Sequence, residues 1–87
     1  MLNELMSEKE IELTQVQDAL LQDKCVHYRD WLIFSRTIHG KLWLRWQHPK
    51  DNFPRCGCPV GEKGLSEVIE FVYFWINLAI ELEENNS

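Results

Sequence analysis

The sequence has few of the features that assign a chemistry by themselves. Its first residues, Met1-Leu2-Asn3-Glu4, supply neither a basic cluster nor an apolar run, so no secretory leader is expected. No stretch offers the ~20 mostly apolar residues of a membrane-spanning helix. The most apolar one, Leu65 to Leu82, is interrupted by Glu67, Glu70, Asn77 and Glu81. Glycine is scarce, and Gly57, Gly61 and Gly64 match no phosphate-cradling spacing. Cysteine is scarcer and odd in number: Cys25, Cys56 and Cys58. Cys56 and Cys58 lie too close along the chain for an easy disulfide, which points to reduced thiols and a cytoplasmic setting. No internal repeat, CxxC knuckle or helix-turn-helix pattern is present. A cysteine nucleophile with His48 as base can be drawn, but no third residue or oxyanion hole accompanies it, so an enzyme is not expected.

What the chain does hold is aromatic residues and unevenly placed charge. Four Trp, four Phe and two Tyr are many for 87 residues. Large rings supply much area per residue, which suits a small core or an interface. The length allows one domain, residues 1–87, and a chain this short buries only ~60–65% of its unfolded surface. Net charge is −5. From Lys24 to Arg55, however, seven bases face two acids, Asp30 and Asp51, giving +5, while the remainder carries two bases and twelve acids, giving −10. That asymmetry is either matching between layers or a basic face offered to a polyanion.

Periodicity predicts an α+β fold in the order αββα. Ser7-Glu8-Lys9-Glu10 reads as a capping box with Met6 and Ile11 as its hydrophobic staple, opening a helix over 7–24 that presents Leu13, Val16 and Leu20. Two β-branched and aromatic runs around His39-Gly40 predict a hairpin over 26–48. A two-residue turn pairs Arg36 with Trp43, Phe34 with Arg45 and Ile33 with Trp46, so Trp31, Ile33, Leu44 and Trp46 share the buried face. Residues 48–64 hold all three prolines and three of the four glycines and read as a long loop. A final helix is expected over 65–84, with residues 1–6 and 83–87 frayed. A lone two-stranded sheet is marginal, so completion by a homodimer is expected.

Three residue sets are candidates for function. The last helix has an apolar arc of about 220°, twice what a surface helix needs. Phe71, Phe74, Trp75 and Leu78 are therefore the candidate protein interface. The hairpin carries Phe34, Arg36, Lys41, Trp43 and Arg45, with Arg29 nearby, and aromatic–basic sheets of this kind bind nucleic acid by stacking and phosphate neutralisation. Opposed Arg and aromatic residues would also make cation–π pairs. Finally, Cys56, Cys58, Cys25, His27 and His48 form a candidate ligand set for a structural zinc, which would order the 48–64 loop. The leading expectation is a small regulatory or adaptor protein acting through protein–protein contacts, including inhibition of a larger complex. The alternative is a nucleic-acid-binding module using the hairpin, and steep salt dependence distinguishes the second from the first.

Overall fold

The structure is a computed structural model that describes the backbone of residues 8–86 and the side chains of residues 12–86. Helix α1 spans Glu8–Leu21. Strands β1 (Val26–Tyr28), β2 (Trp31–Ile38), β3 (Lys41–Gln47) and β4 (Cys56–Pro59) follow, and helix α2 spans Leu65–Asn85. The strands form one antiparallel sheet in the order β1-β2-β3-β4. The fold is α+β, as the periodicity predicts. The expected cap at Ser7 and the Met6–Ile11 staple lie outside the described residues.

The expected register of the central hairpin is the observed one: Ile33 pairs with Trp46, Phe34 with Arg45 and Arg36 with Trp43. The turn works because His39 (φ 52°) and Gly40 (φ 78°) both take positive φ, as a two-residue turn matching strand twist requires. A second such turn, Arg29 (φ 48°) and Asp30 (φ 72°), breaks the run that reads as continuous from Val26 and creates β1, with Tyr28 opposite Trp31. Helix α1 ends at Leu21, three residues short of expectation. Asp23 adopts φ 59°, while Asp23 N–H donates to Leu20 O (3.2 Å) and Lys24 N–H to Ala19 O (3.0 Å). This is the double bond of a Schellman stop, in which Asp tolerates the left-handed position.

The largest departure is in residues 48–64. They are not a loop throughout: Cys56–Pro59 is a strand, pairing Leu44 with Cys58 and Trp46 with Cys56. Gly57 and Pro59 argue against a strand locally, but an edge position tolerates both. The remaining connection is tied down by its own bonds. Asp51 N–H donates to His48 O (3.0 Å), Gln47 Nε2 to Asp51 O (2.8 Å), and Arg55 Nε meets Asp51 Oδ2 at 3.2 Å. With β1 and β4 the chain supplies its own four-stranded sheet, so the hairpin needs no second copy to complete it. Helix α2 continues to Asn85, past the expected fraying point, and Glu83 in its last turn bonds His48.

Both helices lie against one face of the sheet. The core unites Val16 and Leu20 of α1, Trp31, Ile33, Leu44 and Trp46 of the sheet, Val60, and Val68, Ile69, Val72 and Ile76 of α2. Because strand side chains alternate, the register puts Leu32, Phe34, Arg36, Trp43 and Arg45 on the opposite face. None of these belongs to the core.

Candidate functional site

Two surfaces and one cleft compete for the role of site. The first surface is the side of α2 turned away from the core. Phe71 is 49% exposed, Phe74 65%, Leu78 44% and Leu82 53%. Their spacing of three and four residues sets them in one stripe along the helix, between its buried face and a strip of carboxylates. Every ionisable residue of α2 other than Tyr73 is a glutamate: Glu67, Glu70, Glu81, Glu83 and Glu84. Trp75, expected in this set, is only half exposed. Its ring meets Trp31 at 6.0 Å and Trp46 at 5.7 Å, both edge-on, so it covers the core and Leu82 takes its place in the stripe.

The second surface is the outer face of the sheet. Phe34 and Trp43 lie on it half-buried, with Arg36 and Lys41 exposed and Arg45 half-buried. The structure separates Arg29 from this set. Its Nη1 donates to Asn77 Oδ1 at 2.9 Å, beside the Tyr28 hydroxyl at 3.0 Å, so it clips the β1–β2 turn to α2. The expected cation–π pairing of Arg36 with Trp43 and Phe34 with Arg45 does not form. Among the described residues the cation–π contact is Arg55 over Phe53, at 4.7 Å. Arg45 instead runs beside Gly57 and donates through Nη2 to Pro54 O at 3.4 Å.

The cleft, of about 350 Å³, lies where β3 meets the end of α2 and is lined by Trp31, Trp46, Trp75, His48, Cys56 and Glu83 among others. His48 is committed there. Lys50 N–H donates to its Nδ1 (3.0 Å), so Nε2 carries the proton given to Glu83 Oε1 (2.8 Å), and Trp31 meets the ring edge-on at 5.0 Å. Cys56 shares the cleft, but partial burial and then the Asp51 carboxylate push its thiol pKa up, away from the thiolate that a nucleophile needs. Both nitrogens of the would-be base are occupied, so a Cys–His couple is not assembled.

Nor does the structure gather the five expected zinc ligands. Cys56 and Cys58 lie on β4 at one sheet edge, whereas Cys25 and His27 lie at or beside β1 at the other, about 14 Å away across three strand spacings. The His27 row faces the outer side and the cysteine row the core side. The expectation that they meet at one end of the hairpin fails because Cys56 and Cys58 pair along β3 as strand β4 and are carried to the edge opposite β1. Among the described residues no three His, Cys, Asp or Glu side chains converge as a metal site.

Against α1, Tyr28 and Tyr73 stack with centroids 3.9 Å apart and planes 7° from parallel. Burial, then the Glu12 carboxylate and then Tyr28, pushes the Tyr73 pKa up to about 12. The unfolded chain releases this proton first as pH rises, so the stabilisation it gives is full below pH ~10 and declines between there and about 12. A near-ultraviolet absorbance titration is expected to show a late phenol that Tyr73→Phe removes. The absence of any phenol ionising well above pH ~10 would contradict the packing.

No protein-family model matches the chain, no curated protein matches its sequence and no solved structure matches its fold. No helix among the described residues is long and apolar enough to cross a membrane.

Proposed function

We propose that this is a small non-enzymatic regulatory or adaptor protein that acts through protein–protein contact, using the exposed stripe of α2. One observation carries the reading: Phe71, Phe74, Leu78 and Leu82, all large and apolar, are each more than two-fifths exposed along a single helix side. A helix that needed only to close the core would stop at Val68, Ile69, Val72 and Ile76. Contiguous exposed apolar surface costs solubility, and its usual compensation is a partner.

The charge around the stripe narrows the partner. The ionisable side chains that α2 itself sets beside the stripe are glutamates, with Lys63 and Arg55 near Phe71 at its first turns only, so two α2 helices meeting face to face along the stripe would bring together mostly like charges. An apolar groove with a basic rim, on a different protein, meets both requirements. A photo-crosslinker at position 74, introduced in the native host, is the test. The expected result is one dominant adduct, mapped to a basic segment of another protein and lost when Phe71 and Leu78 become Ser. Adducts only of the chain with itself would replace this reading with a homodimer, and unchanged adducts in the double variant would end it.

A further inference from the structure

The outer face of the sheet is a second surface with the opposite chemistry, and nothing in the α2 reading uses it. The register sets Phe34 opposite Arg45 and Arg36 opposite Trp43 in adjacent rows. Rings and guanidiniums therefore alternate diagonally, each ring flanked by a cation. Neither Arg36 nor Arg45 stacks on these rings, which stand half-buried on the face. Lys41 extends the basic side at the turn. No residue that the register places on this face is acidic. Asp51, at the nearby bend, is paired with Arg55 at 3.2 Å.

We infer that this face binds single-stranded nucleic acid, with bases stacked on Phe34 and Trp43 and phosphates held by Arg36, Lys41 and Arg45. An open aromatic sheet gives bases flat apolar platforms at spacings that an extended strand reaches, and the interleaved cations neutralise the backbone between them. A duplex hides its base faces and cannot use the rings. The net charge of −5 does not oppose this. The acidic helices lie under the other side of the sheet, a layer roughly 10 Å away, while screening at physiological salt acts over about 8 Å. The strand therefore meets mainly the local field of the three cations. Charge complementarity also separates this occupant from an apolar protein partner, which would leave the cations unpaired.

The test is fluorescence anisotropy of labelled oligo-dT and oligo-U of about 15 nucleotides, longer than the face, with a duplex of equal length as control. The expected result is binding in the micromolar range at low salt, with a log–log salt slope of about −2 from three cations. Duplex binding should be weaker, and comparison of dT with U assigns the ligand to DNA or RNA. Trp43→Ala and Phe34→Ala are each expected to weaken binding about tenfold. Arg36→Glu, a change at an exposed position that leaves the fold intact, should weaken it at least as much and flatten the slope. Absence of binding up to about 100 µM protein at low salt would overturn the inference. So would preference for duplex, a salt-independent affinity, or undiminished binding by Arg36→Glu with Phe34→Ala. Self-association that Arg36→Glu abolishes, without oligonucleotide binding, would reassign the face to a second copy of the chain.

Discussion

Ile76→Lys is expected to lower the melting temperature by about 20 °C or more, whereas Phe74→Lys, the same replacement two residues earlier in α2, is expected to leave it within a few degrees. Ile76 is fully buried between α2 and the sheet. An ammonium there has no carboxylate to meet and costs ~4 kcal/mol or more. That is about half of the ~5–10 kcal/mol available to a domain of this size. Phe74 is 65% exposed. A lysine there follows Glu70 by four residues in the favourable orientation, and surface changes of this kind stay within about 0.5 kcal/mol. Its effect should fall on association instead, with partner affinity reduced ~30-fold if Phe74 anchors the interface. Circular-dichroism melts of the two variants decide the matter. A large loss of stability in Phe74→Lys would show that the stripe serves the fold, which removes the ground for assigning it to a partner.

Trp46→Ala is the second change with a large expected effect, ~3–5 kcal/mol. Trp46 is 3% exposed, pairs with Ile33 and Cys56 across the sheet, and packs edge-on to Trp75. Its indole N–H is buried without a hydrogen-bond partner among the described residues. Such an orphaned donor carries a penalty of ~1–3 kcal/mol. Trp46→Phe should therefore cost much less than its loss of volume suggests, because the replacement removes the unmet donor together with the atoms. Equal destabilisation by Phe and by Ala in urea unfolding would mean that the N–H is satisfied after all and that the cost lies elsewhere.

The two surfaces give the adaptor reading a definite shape. The helix side is apolar and acidic, the sheet side aromatic and basic, and the core lies between them. Because the surfaces share no side chain, variants of one should leave binding at the other intact, and this independence makes the two proposals separately testable. It also accounts for the uneven charge along the sequence. The basic segment from Lys24 to Arg55 supplies β1, β2 and β3, and the acidic remainder supplies both helices and the edge strand β4.

The α+β class, the existence of both helices and the register of the central hairpin can be read from the residues alone. These rest on local rules. Val68, Ile69, Val72 and Ile76 recur at helical spacing, and the two-residue turn at His39-Gly40 keeps Ile33 and Trp46 on the same face. The aromatic and basic residues of the outer face were legible for the same reason, since strand alternation follows from register. Tertiary structure alone decided the rest. Cys56–Pro59 has weak strand propensity and becomes β4 because β3 offers it a ladder of partners. That pairing moved Cys56 and Cys58 to the edge opposite Cys25 and His27, and so dissolved the metal set that proximity along the chain suggested. Arg29 left the basic face because Asn77, distant in sequence, offered its oxygen. Trp75 turned inward because Trp31 and Trp46 left room for its edge, and the solvent-facing stripe passed to Phe71, Phe74, Leu78 and Leu82. Local periodicity states which residues can share a side of an element. Which of two apolar sides is covered depends on what packs there, and that contact is not written in any short stretch of chain.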